Sequence, residues 1–184
     1  SQSEIIYLVL IMIATAIPAG FAAGLFGIGG GLVTVPILFY IFSFSGIETA
    51  YVMHLAVGTS FGIIIPTSTV SVLTHHQHKA VDFSIVKGFG FFVATGVILG
   101  TIFAASLETK PLILFFTIVV YILAFYLLFL KEKETNIEIK IGLFSKAISG
   151  IVSGFISAPM GIGGAVMNVP ILKFFGYPIN KAIG

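Results

Sequence analysis

Long apolar stretches separated by short polar segments run along almost the whole chain. Uninterrupted stretches cover residues 5–26, 51–73, 83–106 and 111–130. A helix needs about 20 apolar residues to cross the hydrocarbon core of a bilayer, and each stretch meets that length. Apolar sequence resumes at residue 141, after a charged segment at 131–140, and continues to about residue 176. This pattern predicts an all-α membrane protein that crosses the bilayer several times.

Glycines interrupt the first apolar region. Five of them fall within residues 24–31, and apolar sequence then continues from 31 to 44. A single helix over residues 5–44 would be about 60 Å long, roughly twice the hydrocarbon thickness of a bilayer. We therefore expect the chain to fold back at or near the glycines, so that the two arms form a helical hairpin.

A second glycine-rich interruption matches the first. GIGGGLVTVPIL at residues 27–38 aligns with GIGGAVMNVPIL at residues 161–172, and eight of the twelve positions are identical. The chain is therefore interpreted as a duplication. Its parts are a first transmembrane repeat at 1–130, a charged cytoplasmic linker at 131–140, and the start of a second, incomplete repeat at 141–184. Because the first repeat crosses the bilayer an odd number of times on this path, the two copies should have inverted topology.

Composition supports a membrane protein and adds an orientation. Hydrophobic residues make up 58% of the chain and charged residues only 9%, against about 25% charged residues in soluble domains. The mean hydropathy is +1.15. All basic residues are lysines, and on the predicted path every one except Lys110 lies towards a single face. The positive-inside rule makes that face cytoplasmic and places the N-terminus on the other side.

The paired glycine breaks predict a binding site. Unwound backbone is tolerated at membrane depth only where it is buried in protein or lines an aqueous cavity. Breaks at equivalent positions of two inverted copies are typical of a transporter's substrate site. The half-helices that begin near Gly31 and Ala165 would present amide N–H groups, which bind anions with help from the helix dipole. The candidate substrate-binding residues are Gly27, Gly29, Gly30, Gly31, Thr34, Thr59, Ser60, Ser157, Gly161, Gly163, Gly164 and Asn168.

Small residues also recur at four-residue spacing, which favours close packing of helices. These ladders are Ala16-Gly20-Gly24, Gly96-Gly100 and Gly150-Gly154-Ala158. We assign them to helix packing. The alternative for the glycine breaks themselves is the same role, which would make the protein a membrane scaffold without transport activity.

Histidines provide a competing hypothesis. His75, His76 and His78 fall within four residues and could ligate a metal, which would make the protein a divalent-metal permease; a solvated loop is the alternative. His54 lies at the start of a predicted span, where an ionisable residue indicates either function or a capping role. No catalytic triad, nucleotide-binding loop or redox motif occurs, and cysteine is absent. We therefore expect no enzymatic activity, no cofactor and no nucleic-acid partner.

The chain resembles the TauE/SafE-type sulfite exporter family, also described as toluene-sulfonate uptake permeases. The resemblance rests on the paired glycine segments, on HLAVGTS at 54–60 and on HHQHKAVDFSIVK at 75–87. It covers the whole chain and about the first two thirds of a typical family member. It implies a multi-pass secondary transporter of sulfite, sulfonates or related organosulfur anions in the bacterial inner membrane. The family's substrate region would map onto Gly27 to Thr34 and Gly161 to Asn168, and the partners would be such an anion and the lipid bilayer. A coupling ion and a homo-oligomer remain open.

Overall fold

Helices make up nearly all of the structure that the computed structural model describes, which is residues 2–26, 30–77, 83–129, 142–164, 166–168 and 171. The helices are α1 (Gln2–Phe26), α2 (Gly31–Phe44), α3 (Val52–Gln77), α4 (Phe83–Ser106), α5 (Thr109–Phe129) and α6 (Leu143–Met160). Of these, α2 has only 14 residues, whereas the other 5 are long and apolar enough to cross a membrane. No strand occurs in the described ranges. The prediction of an all-α, multi-pass membrane protein is confirmed.

The first two helices form the predicted hairpin. Met12 and Ala19 of α1 line one small cavity, of about 130 Å³, together with Thr34 and Ile41 of α2. In one continuous helix Met12 and Ile41 would be about 43 Å apart, at 1.5 Å per residue. Since both border the same small cavity, the chain must reverse direction between α1 and α2.

Contacts between helix ends define two ends of the molecule. His54 at the start of α3 lies 3.1 Å, through Nε2, from the Ala104 carbonyl oxygen near the end of α4. Thr109 at the start of α5 donates a hydrogen bond of 2.5 Å to the Ala50 carbonyl oxygen. We call this end, which contains residues 45–51 and 106–110, the Glu108 end. The starts of α4 and α6 meet at the opposite end, where a methyl group on Gly88 would lie 3.9 Å from Lys146 Nζ.

Successive helices from α1 to α5 therefore alternate in direction. The last helix, α6, runs parallel to α4, because residues 150 to 158 of α6 contact residues 89 to 100 of α4 in ascending order. It follows that α1 and α6 run in opposite directions, α1 away from the Glu108 end and α6 towards it.

The α4–α6 interface is closed by glycines. A methyl group on Gly96 would overlap the Ile151 carbonyl oxygen, and one on Gly154 would overlap the Val93 carbonyl oxygen. Such close backbone contact is possible only where side chains are absent, as in other membrane helix pairs. The packing role predicted for the ladders of α4 and α6 is confirmed. Gly20 of α1 differs, since no described atom lies within 4 Å of a methyl group placed there.

The buried core surrounds the end of α6. Val35 of α2, Val52 and Ala56 of α3, and Leu112 of α5 are at most 1% exposed, and they form one cluster with Met160 and Ile162. Most other large apolar side chains face outward, as expected for helices in contact with lipid. The core thus lies where the second glycine segment interrupts α6.

Candidate functional site

The two glycine segments meet in the interior of the structure. Gly31, the first residue of α2, lies against Gly161, the first residue after α6. A methyl group on Gly31 would overlap the Gly161 carbonyl oxygen and lie 2.6 Å from Ile162 Cα. All three residues are buried. The breaks that the sequence places 134 residues apart are therefore in direct backbone contact.

The break at Gly161 follows from glycine's backbone freedom. Gly161 adopts φ +60°, a left-handed conformation that side chains disfavour. Its N–H donates to the Ala158 carbonyl at 3.1 Å, and the Ile162 N–H donates to the Ser157 carbonyl at 3.3 Å. These two hydrogen bonds form a Schellman motif, which ends α6 while satisfying its last carbonyls. Space restricts the position further, since a methyl group there would lie 3.0 Å from Val35 Cγ2.

The break before α2 has a different local structure. Gly30 precedes the helix with φ −59° and ψ −37°, and no side chain caps it. Its carbonyl accepts hydrogen bonds from the Val33 and Thr34 N–H groups, at 3.1 and 2.8 Å. The N-terminal turn of α2 carries the partial positive end of the helix dipole. Because Gly31, the first residue of α2, contacts Gly161, this turn lies beside the break after α6.

A hydroxyl pair joins the two breaks through α3. Ser60 is fully buried and donates a 2.7 Å hydrogen bond to the Gly161 carbonyl oxygen. The Thr34 hydroxyl lies 3.0 Å from Ser60 Oγ and 3.0 Å from the Gly30 carbonyl oxygen. Because Ser60 donates its proton to Gly161, the single Thr34 hydroxyl proton is shared between the Gly30 carbonyl oxygen and Ser60 Oγ. Two of the predicted site residues thus connect α2, α3 and the second break.

Replacing Ser60 with alanine should destabilise the protein, because the buried Gly161 carbonyl would lose its donor. The free energy of unfolding is expected to fall by about 1–3 kcal/mol, the cost of one unsatisfied buried polar group. Thermal unfolding in detergent measures the change. Thr59→Ala is the matched control, since Thr59 is only half-buried and outside this hydrogen-bonded set. Equal unfolding temperatures for the two variants would contradict the role of Ser60.

The meeting point lies well inside the length of α3. Ser60 follows Val52, the first residue of that helix, by eight residues, which is about 12 Å along the helix axis. The candidate span of α3 extends from Val52 to Thr74. If this span crosses the bilayer, the two breaks lie within the roughly 30 Å hydrocarbon layer.

Ser157 contributes a hydroxyl that has no hydrogen-bond partner within the described part of the chain. The residue is 3% exposed, and its Oγ is buried with no hydrogen-bond partner among the described residues. It lies one turn before Gly161 on α6. A buried donor without a partner costs about 1–3 kcal/mol, and a bound ligand that accepts its hydrogen bond would offset that cost.

Asn168 binds to a different neighbour from Thr34, although the internal repeat makes the two positions equivalent. The hydroxyl of buried Ser153 on α6 donates a hydrogen bond to Asn168 Oδ1. The Asn168 backbone N–H donates to the Gly164 carbonyl at 2.7 Å. Asn168 therefore links the residues after the break to α6. Our sequence analysis missed Ser153, although a second hydroxyl one turn before Ser157 in an apolar helix could have indicated it.

The remaining predicted site residues take peripheral places or fall outside the described ranges. Gly163 faces α3, where a methyl group would lie 3.7 Å from Ile64 Cγ2. A methyl group on Gly164 would lie 2.6 Å from the Asn168 side-chain nitrogen. Gly27 and Gly29 lie outside the described residues, as does His78 of the metal hypothesis. Within the described ranges, no cluster of three or more His, Asp or Glu side chains could hold a metal ion.

Among the described residues, no lysine lies at the meeting point. The described lysines, Lys87, Lys110 and Lys146, lie near the starts of α4, α5 and α6 rather than at the break. The groups at the break are hydroxyls, backbone carbonyls and the N-terminal turn of α2. Such a site can donate hydrogen bonds to an oxyanion without a fixed positive charge.

Comparisons with known proteins identify the relatives of this chain. The family model described as sulfite exporter TauE/SafE matches residues 12–184. A probable membrane transporter protein of Haemophilus influenzae is 34% identical over 177 residues, covering 96% of this chain and 67% of the relative. A probable membrane transporter protein of Methanocaldococcus jannaschii is 29% identical, covering 99% of the chain and 68% of the relative. The chain thus spans about two thirds of the length of these relatives. No solved structure matches it.

Proposed function

Because this chain belongs to the sulfite exporter TauE/SafE family of membrane transporters, we propose that it moves small organosulfur oxyanions, such as sulfite or sulfonates, across the inner membrane as a secondary transporter. The observation that carries the proposal is the contact between Gly31 and Gly161, which joins the two breaks. Interrupted helices that meet at membrane depth are typical of transporter binding sites.

The proposed anion site comprises the predicted glycines and hydroxyls around this contact. The Ser157 hydroxyl and the N–H groups of the first turn of α2 would donate hydrogen bonds to the anion. The hydrogen bonds of Thr34 and Ser60 fix the positions of the two breaks relative to each other. The sulfur-bound oxygens of sulfite and sulfonates are strong hydrogen-bond acceptors. Hydroxyls and a helix N-terminus are therefore suited to bind them.

We further propose that the repeats are inverted copies, with the second beginning at residue 141 after the linker at 131–140. The opposite directions of α1 and α6 support this. So do the small-residue ladders, since Ala16, Gly20 and Gly24 each precede their counterpart Gly150, Gly154 or Ala158 by 134 residues. Alternating access would then come from movement of one repeat against the other around the shared breaks.

The lysines support an orientation for the transporter. Lys87 and Lys146 lie at the end opposite the Glu108 end, as do the attachment points of the linker, whereas Lys110 lies at the Glu108 end. By the positive-inside rule the lysine-rich end is cytoplasmic. The N-terminus, where α1 begins, would then lie outside the cytoplasm.

A screen of anions tests the function. The full-length protein in nanodiscs should be stabilised by sulfite or by a sulfonate, and less by acetate or chloride at the same ionic strength. At about 100 times the dissociation constant, a ligand adds about 2.7 kcal/mol to the free energy of unfolding. The same anion should enter or leave proteoliposomes that contain the protein faster than protein-free liposomes.

Two results would contradict the proposal. One is the absence of both stabilisation and flux for every sulfur oxyanion in the screen. The other is stabilisation by divalent cations alone that is lost in the variant His75→Ala/His76→Ala/His78→Ala, which would favour the metal permease instead.

A further inference from the structure

We infer that His54 is a proton-binding site coupled to the anion, so that the transporter carries or requires a proton together with its substrate. The inference rests on the proposed function and names its coupling ion. His54 is half-buried in α3, three residues into a span that is otherwise apolar around it. An ionisable side chain in such a position indicates function.

The hydrogen bonds of His54 define its tautomer. Nε2 lies 3.1 Å from the Ala104 carbonyl oxygen. A carbonyl oxygen only accepts, so Nε2 carries the proton and Nδ1 of the neutral ring has a free lone pair. That Nδ1 is buried and has no hydrogen-bond partner among the described residues. The ring is therefore held by Nε2, and Nδ1 is the nitrogen at which the proposed proton would bind.

The hydrogen-bond partner of His54 lies in the last turn of α4. Ala104 is two residues from the end of α4, and its carbonyl also accepts from the Leu107 N–H at 3.2 Å. The His54 ring therefore bridges the start of α3 and the end of α4.

Other ionisable groups near the Glu108 end do not pair with the ring. They are Glu4, Tyr7, Tyr40, Glu48, Tyr51, Glu108 and Lys110. None of them is hydrogen-bonded to or ion-paired with His54. On α4 the described ionisable group is Lys87, at the opposite end of that helix. A cavity of about 500 Å³ at the Glu108 end is lined by Val52, Thr109 and Lys110, among others, and it lies close to the start of α3.

A direct structural path links His54 to the breaks. Val57 follows His54 by one helical turn, and its carbonyl oxygen would lie 3.1 Å from a methyl group on Gly161. Ser60, which holds Gly161, follows one turn later. Because the break itself lacks a basic side chain, an imidazolium at position 54 would be the nearest positive charge to a bound anion on α3. Protonation should therefore tighten anion binding, and by linkage anion binding should promote protonation.

Binding of methanesulfonate to the full-length protein in nanodiscs tests this inference, because methanesulfonate stays a monoanion at every pH used. Histidine changes charge between about pH 5 and pH 8. We expect the wild-type dissociation constant to fall about tenfold between about pH 8 and pH 5.5, within the 5–150-fold range typical of coupled sites. Calorimetry in buffers of different ionisation enthalpy should show proton uptake on binding, and this measurement needs no variant.

Variants test whether His54 is the residue that binds the proton. His54→Gln retains an N–H donor for Ala104 but cannot titrate, so its affinity should change less than about twofold over the same range. His76→Gln is the matched control, since His76 is exposed at the far end of α3; it should keep the wild-type pH dependence. Binding that does not vary with pH, or an unchanged pH dependence in His54→Gln, overturns this inference and leaves the proposed function intact. Absence of methanesulfonate binding at every pH overturns both.

Discussion

Gly31→Ala should reduce anion transport by about fivefold or more, the largest functional effect we expect from adding a single methyl group. That methyl group would overlap the Gly161 carbonyl oxygen and lie 2.6 Å from both Cα and Cγ2 of Ile162. The Ile162 side chain can rotate, but the backbone of the second break cannot move without disturbing the Ser60 hydrogen bond to Gly161. Forced overpacking typically costs about 1–3 kcal/mol. If that cost falls on the transport-competent arrangement of the breaks, it corresponds to about 5- to 150-fold in rate or affinity.

A glycine outside the proposed site is the matched control. A methyl group on Gly20 meets no described atom within 4 Å, and Gly20 lies inside α1, where alanine is compatible with the helical backbone. Gly20→Ala should therefore transport at close to the wild-type rate. Sulfonate flux into proteoliposomes, normalised to protein recovered as a single species by size exclusion, compares the two variants. Equal flux in both would contradict a role for the contact between the breaks.

Much of the fold could be predicted because a chain that crosses a bilayer must satisfy its own backbone hydrogen bonds, which restricts the spans to helices of a known length. Apolar length alone places α4 and α5 within a few residues of where they occur, and the glycine segment at 27–31 coincides with the reversal between α1 and α2. The third helix continues to Gln77, beyond the predicted boundary at residue 73. Its last residues are polar, and hydropathy cannot distinguish a polar loop from a polar helical turn that extends beyond the apolar layer.

The partners within the site could not be predicted, because they depend on packing rather than on periodicity. The internal repeat makes Thr34 and Asn168 equivalent, yet Thr34 binds Ser60 on α3 and Asn168 binds Ser153 on α6. Position 19, which corresponds to Ser153 in the first repeat, is an alanine. The two breaks therefore have the same glycines but different side-chain neighbours. A site built from two related segments need not be symmetric in its chemistry.

The same limit applies to the glycine ladders. Spacing identified three of them but not which would pack together. The pairing of α4 with α6 joins a helix of the proposed first repeat to one of the second, so this interface holds the two repeats together. Because this contact includes none of the predicted site residues, it should govern stability rather than the chemistry of binding.

Gly96→Ala should accordingly cause a large loss of stability. The methyl group would overlap the Ile151 carbonyl oxygen and lie 2.8 Å from the carbonyl carbon, so α4 and α6 would have to separate along their shared face. Association of membrane helices depends on van der Waals contact at such small residues. We expect the free energy of unfolding to fall by about 1–3 kcal/mol or more, the usual cost of overpacking. Thermal unfolding in detergent, followed by the loss of the monodisperse species, measures this change.

Gly88→Ala, on the same helix, should not lower the stability of the protein. At Gly88 the methyl group meets only the flexible end of Lys146, at 3.9 Å, while alanine favours the helical conformation over glycine by up to about 1 kcal/mol. The unfolding temperature of this variant should equal or exceed that of the wild type. Comparing Gly96→Ala with Gly88→Ala separates the effect of close packing from that of helix propensity. Both substitutions improve helix propensity, but only Gly96→Ala introduces a clash. A stable Gly96→Ala protein would mean that α4 and α6 can shift apart at little cost, and the interface would then be a site of movement rather than a rigid link between the repeats.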